Sequence, residues 1–233
     1  MPIQPPASPS PDSGPNVHGR EPLRELGYLV LLALLAALFV LTALPFAEEA
    51  WLRTTLRIVY ATILVTTLVA AARSRVGVGV GLSLVALFGA ATLAGPAFAL
   101  AANGLAVAFF LFFIAVLLKD VFSHRRVTVS TVSGAICAYV FLGLLWTFVY
   151  ELIAGLDESA FHGLTHARSA IRDDLFYFSF VTLTTVGYGD IVPVTDPARV
   201  MAILEAMVGQ LFLVVLLARI VSVWAATPDV APE

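Results

Sequence analysis

Six apolar runs, each too long for an ordinary strand and almost free of charge, dictate what this chain can become. They cover residues 26–46, 51–72, 76–93, 98–118, 129–153 and 199–224. A run of about 18 or more apolar residues matches the hydrocarbon thickness of a bilayer when wound as a helix. No water reaches that layer, so every backbone N–H and C=O must be satisfied within the chain, and these runs are expected to be helices. Composition agrees: 12% of residues are charged, 60% are hydrophobic and mean hydropathy is +0.95. A soluble domain carries about 25% charged residues. The reading is an all-α membrane protein with six transmembrane helices.

Around these runs the chain divides simply. Residues 1–24 hold many prolines with Ser, Gly and Asn, cannot build a core and read as a disordered tail. A four-helix transmembrane domain is expected over 25–123, a second membrane domain over 124–226 and a short tail over 227–233. The first run is too long for the apolar segment of a cleaved signal. Net charge is −3 with no basic cluster, so nucleic acid is not an expected partner. Cys137 is the single cysteine, which excludes an intrachain disulfide. No serine–histidine, zinc or nucleotide constellation lies in the spans, so an enzyme is not expected and no cofactor is implied.

Charge asymmetry orients the spans. Arg20, Arg24, Arg73, Arg75, Lys119, Arg125 and Arg126 fall on one side. Glu48, Glu49, Glu151, Asp157, Glu158, Asp173 and Asp174 fall on the other. Both termini are therefore expected on the cytoplasmic side. Arg53 and Arg57 are read as snorkelling towards headgroups, and Arg168 and Arg172 as neighbours of acids in a longer outer loop.

One apolar run does not fit the pattern. Residues 175–184 are too few to span, and they lead into Thr185-Val186-Gly187-Tyr188-Gly189-Asp190. The orientation puts this segment on the outer side, between the fifth and sixth helices, as a re-entrant helix and loop. Irregular backbone at membrane depth survives only where it is buried in protein or lines a watery path. Glycine at alternate positions, Gly187 and Gly189, tolerates positive φ and lets successive carbonyls face one way, as a dehydrated cation requires. The string Thr-Val-Gly-Tyr-Gly is the established potassium filter motif.

Residues 175–193 resemble the pore signature of tetrameric potassium channels, close to its bacterial form, and the resemblance extends over about 128–224 as helix, pore helix, filter and helix. It implies a homotetramer in the inner membrane, with lipid and no soluble protein as its other partner, since one strand cannot surround an ion. It further implies that the backbone carbonyls of Thr185, Val186, Gly187 and Tyr188, with the Thr185 hydroxyl, bind potassium as the permeant ion. Thr182 and Thr184 match the threonines before the filter. Asp190 matches the acid that braces the outer mouth, and Tyr177 stands where many relatives carry the tryptophan that holds it. Val181 replaces an acid found in some two-helix bacterial channels. Gly209, 19 residues after Asp190, has the spacing of the inner-helix hinge glycine, and close helix packing is the competing account.

Other residues are less determined. Glu205 and Gln210 interrupt the last apolar run, and an acid at such depth is a functional candidate. Glu205 is read either as a protonated, hydrogen-bonded structural acid or as a coupling residue, behind the filter on the pore-helix threonines or facing the cavity. The run 98–118 contains neither Arg nor Lys, so the voltage-sensor helix of six-span relatives is missing and steep voltage gating is not expected. Asn103 is expected to bond a neighbouring helix. His162 and His166 are four apart, too few for a metal site alone. A potassium transporter component and a non-conducting regulatory subunit are the competing functions. A single intact pore repeat disfavours the transporter.

Overall fold

The computed structural model describes residues 21–42, 75–93, 95–123, 128–165 and 171–225. The second expected span, Arg53 and Arg57, His166, Arg168, the tail 227–233 and all of the tail 1–24 except its last four residues lie outside these. Among the described residues six α-helices are present: α1 (Glu21–Thr42), α2 (Arg75–Leu93), α3 (Ala99–Ser123), α4 (Val129–Leu156), α5 (Ile171–Leu183) and α6 (Asp196–Ala225). A two-stranded antiparallel ribbon joins β1 (Phe161–His162) to β2 (Val192–Pro193). Among the described residues, three helices are long and apolar enough to cross a membrane: α3, α4 and α6. α1 and α2 contain shorter apolar segments, Gly27–Ala37 and Gly79–Ala91.

Helix ends follow local chemistry. α1 begins at Glu21, inside the stretch read as a tail. Between α2 and α3, Gly95 takes φ 100° and its carbonyl accepts the Phe98 amide at 3.0 Å, making a tight turn. Thr128 caps α4: its hydroxyl accepts from the Thr131 amide while the Thr131 hydroxyl accepts from the Thr128 amide, both at 3.4 Å. Asp157 ends α4, and its Oδ1 accepts from the Ser159 amide at 2.9 Å, turning the chain towards β1. α5 starts four residues before the apolar run from which it was expected, because Asp173 and Asp174 in its first turn favour the positive end of the helix dipole. Pro197 lies in the first turn of α6, where its missing N–H costs nothing.

α4 is the hub. α1 and α3 pack on it from one direction, α5 and α6 from another, and α2 packs on α3. The core along α3 and α4 is aromatic: the Phe110 ring stacks on Phe148 at 5.6 Å and meets Phe141 edge-on at 5.5 Å. Tyr28, Leu31 and Leu35 bury the face of α1, and Gly134 on α4 leaves room for the Tyr28 ring. Cys137 is fully buried in this layer, with its thiol 3.9 Å from the Tyr28 carbonyl. Asn103 on α3 is also buried. Burial is uneven. In the apolar windows of α4 and α6, 67% and 11% of residues respectively are buried, so α6 presents most of its apolar surface outward.

Candidate functional site

Residues 184–190 leave the end of α5 as exposed, irregular chain and return through β2 to α6. Their backbone has a regular alternation. Thr185, Gly187 and Gly189 have φ of 60°, 55° and 80°, while Val186 and Tyr188 between them do not enter the positive region. Thr185 is the one non-glycine residue with positive φ among the described residues. A β-branched residue there is strained by roughly 1–2 kcal/mol. The strain is held by hydrogen bonds on both sides. The Thr185 amide donates to Thr182 O at 2.9 Å, and the Val186 and Gly187 amides both donate to Val181 O, at 2.9 and 3.3 Å.

These bonds aim the carbonyls. A trans peptide points its N–H and the preceding C=O in opposite directions. Amides of Thr185, Val186 and Gly187 turned towards the last turn of α5 therefore direct the carbonyls of Thr184, Thr185 and Val186 away from that helix. Two of the four expected ion-binding carbonyls, those of Thr185 and Val186, are oriented in this way. Gly187 and Gly189 have open space where a Cβ would stand, so glycine is needed there for its dihedral and not for room. The Thr184 hydroxyl donates back to Phe180 O at 2.7 Å, reinforcing the helix end.

The far end of the segment is braced as well. The Tyr177 and Tyr188 rings stack with centroids 6.4 Å apart and planes within 1°. The Tyr177 hydroxyl hydrogen-bonds to the Asp190 carboxylate, the main reason that carboxyl sits below its usual range. Ribbon pairing of Phe161 with Pro193 and His162 with Val192 clamps the chain beyond Asp190. Gly163 lies so close to the Asp190 carbonyl that any Cβ would clash with it. A depressed carboxylate keeps its bonded, ionised form until pH falls through the lowered pKa. Tyr177→Phe removes the chief cause, so the Asp190 carboxyl is expected to take up its proton at higher pH than in the wild type. Coincident infrared titrations of the Asp190 carboxyl in the two proteins would reject the brace.

Sequence reasoning missed the contacts that dock α5. Arg172 grips Glu151 of α4 with Nε to Oε1 at 2.6 Å and Nη2 to Oε2 at 3.0 Å, and its guanidinium lies 5.7 Å from the Phe148 ring centre. Arg172 was read only as a neighbour of acids; its actual partner is 21 residues away. Because Arg172 is largely exposed, the pair is worth about 1 kcal/mol. Arg172→Ala should lower the detergent unfolding midpoint accordingly, with less difference from wild type in high salt. At the other end of α5, the Tyr139 hydroxyl donates to Leu183 O at 3.2 Å. Gly143 lets the Phe180 ring rest directly on α4.

Glu205 is fully buried and does not bond the pore-helix threonines. It accepts from the Tyr150 hydroxyl at 2.5 Å through Oε2 and lies 2.6 Å from Ser179 Oγ through Oε1. Gly209, one turn on, abuts the end of α5: a Cβ would stand 2.7 Å from Leu183 O. Gln210 is exposed, and Arg219 near the end of α6 donates to Phe122 O of α3 at 3.5 Å. His162 is exposed on β1. Among the described residues no group of three metal-binding side chains occurs.

The segment from α4 to α6 is thus a long helix, a short half-length helix, a loop of alternating dihedrals and a second long helix. Residues 138–225 match the family described as ion channel. The chain is 36% identical over 101 residues to two-pore potassium channel 4 of Arabidopsis thaliana, covering 43% of this chain and 36% of that protein. It is 40% identical over 96 residues to the voltage-gated potassium channel Kch of Escherichia coli, covering 41% of this chain and 20% of that one. It is 40% identical over 57 residues to protein LctB of Bacillus caldotenax, covering 24% of this chain and 42% of that one. The chain thus spans well under half the length of each. No solved structure gives a comparable match.

Proposed function

We propose that this chain is a subunit of a potassium-selective channel in which four copies arrange residues 185–189 around one axis. The observation that carries the reading is the backbone of that segment: positive φ at every second residue, with the amides of Thr185, Val186 and Gly187 tied to the end of α5. Carbonyls turned away from α5 can replace the hydration shell of potassium. Thr185, Val186, Gly187 and Tyr188 supply the ion sites, Thr182, Thr184, Tyr177 and Asp190 support them, and α5 is the re-entrant pore helix. The pore domain is 124–226, and the remaining helices belong to a six-span subunit with both termini in the cytoplasm.

Exposure supports assembly. Val186 and Tyr188 are 52% and 72% exposed, and α6 carries Ile203, Met207, Leu211 and Val214 on its outward surface. Apolar surface of that extent needs lipid or protein against it. Neighbouring copies cover the filter side, and lipid covers the rest. The low charge of α3, whose one basic residue is Lys119, supports weak dependence on voltage.

The test is flux. Purified full-length chain in liposomes is expected to pass potassium and rubidium but not sodium, with block by external barium, and with shallow change between −100 and +100 mV, about a unit charge or less. A tetrameric preparation without selective flux would refute the channel reading.

A further inference from the structure

Glu205 poses a problem of hydrogen counting. Ser179 Oγ lies 2.6 Å from Glu205 Oε1 and 2.8 Å from Gly143 O. Both are hydrogen-bond distances for a hydroxyl. A serine has one hydrogen to give, and a backbone carbonyl has none. The Tyr150 hydroxyl spends its own hydrogen on Oε2. Three short O···O contacts therefore share two hydroxyl hydrogens. If Glu205 were ionised, Ser179 would donate to it, and the Ser179–Gly143 contact would set lone pair against lone pair. If the carboxyl carries a hydrogen on Oε1, it donates to Ser179, Ser179 donates to Gly143 O, and Tyr150 donates to Oε2. Every contact is then satisfied. Gly143 O then takes the Ser179 hydrogen as one of several donors, beside the helix amide four residues on and the Thr147 hydroxyl at 2.9 Å.

The surroundings favour the same state. Glu205, Ser179 and Tyr150 each have no solvent-exposed surface. Among the described residues no cation pairs with Glu205. A neutral acid tolerates that setting far better than an unpaired carboxylate.

The placement gives this proton a use. Ser179 and Leu183 are one turn apart on α5, and Glu205 and Gly209 are one turn apart on α6. The two helices thus meet in two rungs: Glu205 on Ser179, and Gly209 on Leu183 O. Through Tyr150, the first rung also reaches α4. Thr182 and Val181, which hold the amides of residues 185–187, lie between the two α5 contact points.

We propose that Glu205 is a protonated latch, a positioning residue whose carboxylic acid fastens α6 to α5 and α4 through Ser179 and Tyr150 and so keeps the filter aligned. The proposal rests on the channel reading for its consequence, though not for its proton. It distinguishes substitutions that chemistry would otherwise group together. Glutamine offers an N–H donor to Ser179 and an acceptor to Tyr150. Aspartate is a methylene shorter and cannot reach both. Leucine fills the volume and bonds neither.

The experiment uses the full chain in liposomes, with rubidium flux, sodium leak and difference infrared spectra on each variant. Glu205→Gln is expected to keep rubidium flux within about twofold of wild type, while Glu205→Asp and Glu205→Leu lose rubidium-over-sodium preference by roughly tenfold. Should Glu205→Leu fail to assemble, Ser179→Ala and Tyr150→Phe each remove one partner and are expected to raise sodium leak in the same direction. Wild type at neutral pH should show a carboxylic-acid C=O band that Glu205→Gln lacks. Absence of that band, or a glutamine variant as leaky as leucine, would overturn the proton. Unchanged selectivity in aspartate, leucine, Ser179→Ala and Tyr150→Phe alike would overturn the latch. If wild type shows the band but passes no potassium, the channel reading fails and the protonated acid stands.

Discussion

Gly209→Ala is expected to destabilise the folded subunit and to cut rubidium flux by at least about tenfold, although the change adds one methyl group to a helix. The methyl would stand 2.7 Å from Leu183 O and 2.8 Å from Leu183 Cδ1. A side chain could rotate aside, but the carbonyl is backbone, and Tyr139 already holds it by a hydrogen bond. Relief requires α6 to move off α5 by several tenths of an ångström, at a cost of about 1–3 kcal/mol. Gly104 in α3 provides the control. Nothing lies within 4 Å of a Cβ there, so Gly104→Ala should be close to neutral in both readouts. The comparison also separates the two accounts of Gly209. A hinge alone would leave the unfolding midpoint of Gly209→Ala near wild type and change only the open probability. A close-contact role lowers the midpoint and impairs flux together. Equal midpoints for Gly209→Ala and Gly104→Ala would refute the contact account.

That distinction could not be read from the sequence, and the reason is general for this chain. A glycine 19 residues beyond Asp190 is visible as spacing, but what it touches depends on how α6 lies against α5. Glu205 was conspicuous because an acid in an apolar run is costly. Its partners, Ser179 and Tyr150, are ordinary residues 26 and 55 positions away that carry no local signal. Arg172 and Glu151 likewise had to be brought together by the fold. What was legible rests on local rules. Apolar length marked α3, α4 and α6, and paired glycines marked the irregular segment. The start of α5 was misjudged because Asp173 and Asp174 interrupt the apolar pattern, while the helix dipole welcomes them. The two-residue ribbon was invisible: strands this short have no period to detect.

Gly187→Ala should have the larger functional effect and almost no structural one, the reverse of Gly209→Ala. No atom lies within 4 Å of a Cβ at Gly187, so the substitution meets no wall. Its penalty is conformational: φ at Gly187 is 55°, where an L-residue costs about 1–2 kcal/mol. Thr185 two residues earlier bears the same strain only because amides on both sides are tied to Thr182 and Val181. Alanine at 187 would instead relax towards negative φ and swing the peptide between Gly187 and Tyr188, turning a carbonyl out of line with its neighbours. In the proposed four-fold pore the penalty would recur in every subunit, roughly 4–8 kcal/mol in all, which exceeds what four weak ion contacts can restore. Rubidium flux is therefore expected to fall by more than about a hundredfold, while the helical circular dichroism signal and the unfolding midpoint stay at wild-type values. Selective flux within a few-fold of wild type would mean that the alternating dihedrals of residues 185–189 do not set the ion path.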